Sequence, residues 1–450
     1  MSQTVSPSSS GALDRFLNVF TEVRPGESVQ AVALALNIFL ILTAYYLLKP
    51  VREALILSGD GGAELKSYVS AGQVVLFLFL VPLYGWLASR FPRRKLITRV
   101  TVFFVLCLLG FYALGTGGAS IGVTFFLWIG IFNKMIPAQF WAFANDLYTS
   151  RDGERQFVIV AFGASSGAVF GSALAGRLIE PIGVFPMLLL SAGILLLSLG
   201  ITLWVDSRAQ ASKQTIQDTA DDSGDAEEPL GKEGAFKVLF RSRYLVLIAL
   251  LMLFLNWVNT TGEYILGRTV VEAAETAAAS AASSFSESEF IAGFYADFFA
   301  VVNILGLLLQ LFVVSRILKY LGLGVAILIL PLIALGGYAI AAFFPVLAII
   351  RWVKTAENAT DYSLNNTVRQ ALFLPCSREE KYKAKQAIDT LFVRAGDVLS
   401  ALLVFLGTAW LTLSTQQFAL VNIALVSVWL TLAFWIGLEY RRRTGSRDSS

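Results

Sequence analysis

Histidine is absent from all 450 residues, so no imidazole is available for a metal site or a proton relay. Two cysteines, Cys107 in an apolar run and Cys376 in a charged one, argue against a structural disulfide. Charge is scarce: Asp, Glu, Lys and Arg make up 15% of the chain against 56% hydrophobic residues, and mean hydropathy is +0.68. No ordinary soluble domain has that composition. A GxxxxGK(S/T) loop is missing, which leaves P-loop hydrolysis without support. GTGGASIG, from Gly115 to Gly122, lies between two apolar runs and is read as a turn. The N-terminus has no basic stretch leading directly into an apolar core, so no cleaved signal peptide is expected. A net charge of +3 says nothing about nucleic acid. No nucleic-acid partner, cofactor or enzymatic activity is expected.

What the chain does have is apolar runs of bilayer-spanning length. They fall near 31–57, 67–89, 96–115, 121–147, 157–180 and 184–205, then near 243–266, 289–314, 323–344, 347–373, 385–412 and 416–438. The fold class expected is an all-α polytopic membrane protein of about 12 transmembrane helices in two six-helix lobes, at 28–205 and 241–440. Between them, 206–240 is polar and acidic without apolar periodicity, as in a disordered tether. A leader at 1–27 carries Leu13, Phe16, Leu17 and Phe20 at helical spacing, read as an interfacial helix, and 441–450 is a basic tail. Basic residues recur on alternate connections: Arg90 to Arg99, Arg151 and Arg155, Arg316 and Lys319, Arg378 to Lys383, and Arg441 to Arg443. The positive-inside rule therefore places both termini in the cytoplasm, and the expected location is a bacterial inner membrane. The halves echo each other, with SRFPRRK after the second span and SRILKYLG after the eighth, RDGERQ after the fourth and SREEKYK after the tenth. Repeated six-helix halves are a transporter architecture with the site near the midplane, and the major facilitator fold matches by analogy.

The tenth span is the exception to apolarity. In RWVKTAENATDYSLNNTVRQALFLP, residues Arg351, Lys354, Asn358, Asp361, Asn365 and Arg369 fall within roughly an 80° arc at about 100° per residue. A polar stripe inside a membrane costs several kcal/mol per charge unless it faces a wet cavity or its own counter-charges. In the first span Tyr45, Lys49 and Arg52 share a face beside Pro50, with snorkelling to the outer interface as the alternative for both cations. Lys134 sits near the middle of the fourth span beside Pro137, and its alternative role is neutralisation by an acid such as Glu263 or Asp361. Asn256, Asn259 and Glu263 form a stripe in the seventh span, where Glu263 partners a lysine, bonds substrate or takes a proton. Asp389, Arg394 and Asp397 in the eleventh span read as a gating cluster. The intramembrane cations outnumber the acids counted here, and surplus positive charge suits a phosphorylated anion. Tyr45, Tyr46, Phe140, Trp141 and Trp257 are candidates for stacking on a base, with simple packing as the alternative.

YYLLKPVREALIL, FWAFANDLYTSRDGERQF, LLLQLFVVSRILKYLG and ENATDYSLNNTVRQALFLP followed by SREEKYKAKQAIDTLFVRAGD resemble the bacterial branch of the ATP/ADP translocase family, from about Val23 to Arg441. The resemblance implies nucleotide exchange across a membrane, with lysines in the first and tenth spans and acids in the fourth and seventh. Lys49, Lys354 and Glu263 match; the fourth span departs, offering Asn133 and Lys134 where the family has an acid. The expectation is an antiporter of phosphorylated anions, with adenine nucleotides first, acting as a monomer among membrane lipids. Its alternatives are a proton-coupled transporter of another organic anion and a membrane sensor or assembly factor without transport.

Overall fold

The computed structural model describes residues 28–148, 150–216, 235–279, 286–377, 380 and 384–445. Among them all regular structure is helical. In chain order the helices are α1 (Ser28–Leu57), α2 (Gly62–Arg90), α3 (Arg93–Thr116), α4 (Gly122–Asn145), α5 (Ser150–Ile182), α6 (Pro186–Ile216) and the short α7 (Ala235–Arg241). There follow α8 (Arg243–Ala279), α9 (Glu287–Phe312), α10 (Val314–Tyr320) and α11 (Leu323–Phe343). Helix α12 runs from Leu347–Thr360 through a π turn at Asp361–Asn365 into Asn366–Ala371. Helix α13 begins at Lys385–Ala387 and passes through a π turn at Ile388–Phe392 into Val393–Phe405 and a second π turn at Leu406–Trp410. Helix α14 is Thr415–Gly445.

Eleven of these helices are long and apolar enough to cross a bilayer, and the twelfth span of the sequence reading is α12, too charged to meet that measure. Large apolar side chains such as Phe79, Leu106, Phe162, Leu197 and Phe343 are exposed on the helices. That is the surface hydrocarbon solvates and water does not. The chain is a multi-pass, all-α membrane protein.

Two compact units emerge: 1–52 with 79–224, and 53–78 with 225–450. Thus Glu53–Leu78, the end of α1 and somewhat more than the first half of α2, groups with the second unit, whereas the sequence division put it in the first lobe. The linker expectation also changes at both ends. Asp206–Ile216 continues the long apolar α6, and Ala235–Arg241 is a separate short helix that buries Val238 and Leu239. Arg441 to Arg443 of the tail likewise belong to α14. The leader at 1–27 and the central linker residues 217–234 lie outside the described residues.

In the first unit, Gly163, Gly167 and Gly171 recur every fourth residue, so they fall on one face of α5. A Cβ on any of them would collide with the α1 backbone, at Ala35, Phe39 and Thr43 respectively. Small residues at such a crossing let backbones approach and gain dispersion contacts where lipid offers no hydrophobic drive. Asn37 on α1 donates to Thr202 Oγ1 at 2.6 Å and accepts from Ser198 Oγ at 2.6 Å, tying α1 to α6. In the second unit, α14 starts on a capping box: Gln417 N donates to Ser414 Oγ and Ser414 N to Gln417 Oε1. The same device, Ser286 with Glu289, opens α9. Inside that unit Asn422 Nδ2 of α14 donates to Val258 O of α8 at 3.1 Å. α8, the partner of α13 and α14, is thereby held where its polar stripe meets α12.

Candidate functional site

Lys354 on α12 is fully buried. Its ammonium lies 3.1 Å from Glu357 Oε1 on the same helix and 3.5 Å from Glu263 Oε1 on α8. It also donates to Asn259 Oδ1 at 2.9 Å. Asn358 Nδ2, one turn on from Lys354, donates to Glu263 Oε1 at 3.1 Å, and Tyr338 of α11 donates its hydroxyl to Glu357 Oε2 at 2.7 Å. The other oxygen of Glu263 is 4.0 Å from Lys66 of α2, which closes a 2.8 Å pair with Glu53 of α1. Glu53, Lys66, Lys354 and Glu357 have side chains no more than 9% exposed, while that of Glu263 is 24% exposed. Room for this convergence comes from Gly262, where a Cβ would collide with the Tyr338 hydroxyl and sit 3.1 Å from Lys354 Nζ.

Burying ions is costly unless pairing and hydrogen bonding are nearly complete, and here each charge has a partner at contact distance. Helix α12 differs in two ways from the stripe inferred from the sequence. Lys354, Asn358 and Asn365 are packed inside protein, while Arg351, Asp361 and Arg369 are half-buried, so the middle of the stripe is enclosed where the whole of it was expected to face a wet cavity. The π turn at Asp361–Asn365 then shifts the register, and Asp361 and Asn365 bond each other at 2.6 Å. Arg351 is set apart, its guanidinium over the Phe294 ring at 5.5 Å.

The first unit holds the other expected cations. Lys49 is buried, its ammonium 5.2 Å from the Tyr46 ring centroid, and Arg52 lies 4.9 Å from that of Phe126. Lys134 on α4 is exposed. Pro50 and Pro137 are both accommodated inside continuous helices. The aromatic candidates have ring neighbours of their own: Tyr45 on Tyr46 and Phe132, Trp141 on Phe140 and Phe157, Trp257 on Phe254.

Of the expected gating residues, Arg394 and Asp397 pair at 3.0 Å, one turn apart as the spacing required. Asp397 Oδ1 also accepts from Asn256 Nδ2 at 2.7 Å and Thr260 Oγ1 at 2.8 Å, so it fastens α13 to α8 within one unit. Asp389, in the π turn, pairs with Arg369 at 3.3 Å.

The sequence profile of the Major Facilitator Superfamily matches residues 34–359. The chain belongs to that superfamily. A second profile, that of the TLC ATP/ADP transporters, matches residues 354–440 of this facilitator, beginning at the buried lysine. Among curated proteins it is similar to ADP,ATP carrier protein 2 of Chlamydia pneumoniae, 22% identical with 92% of this chain and 89% of the relative covered. ADP,ATP carrier protein 2 of Chlamydia trachomatis is also 22% identical, over 96% and 92%. These matches agree with the translocase resemblance of its motifs. Among solved structures, the nucleoside transporter NupG superposes with a TM-score of 0.62 at 13% identity, covering 90% of this chain and 98% of that one. A bacterial homologue of the lysosomal transporter Spinster, inward-facing and unoccupied, gives 0.59 at 16% identity, over 94% and 99%. At such identities the superpositions speak for the fold, which is the facilitator fold expected from the two six-helix sets.

Four members of the facilitator's buried cluster escaped the sequence reading: Glu53, Lys66, Tyr338 and Glu357. Glu357 falls about 40° beyond the edge of the α12 arc and so looked like another face. Glu53 and Lys66 carried a usable signal, being ionisable residues inside or beside membrane spans. Around the buried lysine the local balance differs from that of the whole intramembrane set: Glu53, Glu263 and Glu357 stand against Lys66 and Lys354.

Proposed function

We propose that this facilitator is a secondary transporter that exchanges adenine nucleotides, ATP against ADP, by alternating access, and that Lys354 binds cargo phosphate. The observation that carries the reading is the placement of Lys354. It is a fully buried ammonium held by Glu263 and Glu357, with the partly exposed Glu263 as its cover. A phosphate oxygen is a charge-assisted acceptor of the same kind as a carboxylate, so it can displace Glu263 from the ammonium and draw the ammonium away from Glu357. Glu263 and Asn358 then move as one unit, since Asn358 donates to Glu263. Lys49, Arg52 and Lys134 are further cations offered for cargo phosphate, and Asp361 and Asn365 line the same helix as Lys354. Asp389, Arg394 and Asp397 act in gating. The ADP,ATP carriers of the chlamydiae support nucleotide as cargo. The basic connections support cytoplasmic termini in a bacterial inner membrane, and the protein acts as a monomer in lipid.

Exchange follows from the same contact. In the empty carrier Glu263 rests on Lys354, and separating a buried pair without a replacement costs on the order of 3 to 5 kcal/mol. Cargo supplies the replacement. At about 1.4 kcal/mol per tenfold, a barrier excess near 4 kcal/mol slows the empty return roughly a thousandfold. Proteoliposomes preloaded with ADP are expected to take up labelled ATP rapidly, and empty ones to accumulate almost none. Equal initial rates in the two, at matched pH and membrane potential, refute obligatory exchange.

A further inference from the structure

The Lys354 ammonium serves two carboxylates at once. Glu53 has Lys66 beside it at 2.8 Å, and that pair is closed. Glu263 has more support than Lys354 alone: Lys66 lies 4.0 Å from its second oxygen, Asn358 donates to its first, and it is the most exposed member of the cluster. Glu357 differs. It is 2% exposed, its cationic partner is the shared Lys354 at 3.1 Å, and its other oxygen accepts from the neutral Tyr338 hydroxyl. Among the described residues the helices packed around it bring no further charge to contact. α8 contributes Asn259 and Glu263, and α11 contributes Tyr338. α14 contributes Asn422, whose Nδ2 is turned to Val258 O, and α9 contributes Tyr295, whose ring lies under Lys66 at 5.4 Å. On α12 itself, Asp361 is engaged by Asn365.

If phosphate draws the ammonium of Lys354, Glu357 is left as a buried carboxylate with only a phenol. An isolated carboxylate out of water is so unfavourable that it takes a proton instead. We propose that Glu357 is a proton site linked through Lys354 to the phosphate site, so that each nucleotide engaging Lys354 is bound together with one proton from solvent on the Glu357 carboxyl. The proton's route starts at Glu263, the exposed end of the row Glu263, Lys354, Glu357, Tyr338. This rests on nucleotide binding for its ligand, but the carboxyl itself can be tested without one. By linkage, binding that takes up one proton weakens as pH rises, by up to tenfold per pH unit where free Glu357 is ionised.

The experiment uses the full chain in detergent. In weakly buffered solution, ADP added to the wild type is expected to take up close to one proton per nucleotide bound, and Glu357→Gln to bind with no uptake and a flat pH profile. Without nucleotide, infrared difference spectra on acidification are expected to show a neutral carboxyl band that Glu357→Gln removes. Tyr338→Phe, which deletes the donor to Glu357, is expected to bring that band in at higher pH, and serves if the Gln variant does not fold. A band that survives Glu357→Gln, or that is unmoved by Tyr338→Phe, overturns the proton site, as does nucleotide binding without proton uptake. If the band behaves as expected and neither ADP nor ATP binds at any pH, nucleotide is the wrong cargo while Glu357 stands as the proton-accepting carboxyl.

Discussion

Replacing Lys354 by Met keeps most of the volume of the side chain and deletes its charge. The ammonium interacts with Glu357 at 3.1 Å and Glu263 at 3.5 Å, each worth about 5 kcal/mol of gross attraction at an effective dielectric of 20. Most of that is offset by the cost of burying the lysine, so the net loss follows mutational experience with broken buried pairs, about 3 to 5 kcal/mol. With about 2 °C of melting temperature per kcal/mol for larger domains, K354M is expected to melt about 8 °C below the wild type in detergent. The loss comes from two uncompensated carboxylates, so a second substitution that neutralises one of them should recover part of it. Thus K354M/E357Q is expected to regain about 2 kcal/mol, close to 4 °C, although neither double nor single variant transports. Thermal unfolding followed by tryptophan fluorescence measures both. A K354M protein as stable as the wild type, or a double variant no more stable than K354M, shows that these charges are not coupled as the geometry requires.

Asp397→Asn keeps the shape but weakens the acceptor for Arg394, Asn256 and Thr260, and is expected to cost about 1 to 3 kcal/mol of stability and slow exchange. Wild-type rates with unchanged melting would place Asp397 outside the gate. Gly262→Ala drives a methyl group into the Tyr338 hydroxyl beside Lys354 Nζ, and is expected to abolish ADP binding by calorimetry even where folded protein is recovered. Unchanged affinity would mean that the cluster does not hold Lys354 in place for cargo.

Much of the fold was legible because lipid imposes it. Each apolar run of about 20 residues must satisfy its own backbone as a helix, so the spans near 96–115 and 323–344 correspond within a few residues to Arg93–Thr116 and Leu323–Phe343. The polar tether was read less well, since composition alone gave no sign that α6 would continue to Ile216. Within the site, Lys354, Asn358 and Glu263 stood out as ionisable or polar groups at helical spacing in apolar surroundings. Their partners did not, because Glu53 and Lys66 come from the ends of other helices and Tyr338 looks like any aromatic in an apolar span.

The sequence by itself determined that this chain crosses a membrane about twelve times, in two similar sets, and that charge is concentrated on a few helices, since hydropathy and spacing are local properties of the chain. Only the tertiary structure decided that Lys354 is enclosed, that Glu357 shares it with Glu263, and that acids outnumber cations around it. Pairing of buried charges depends on distances of 3 to 4 Å between helices remote in sequence, and on a glycine, Gly262, that leaves room for Tyr338 and Lys354 between them.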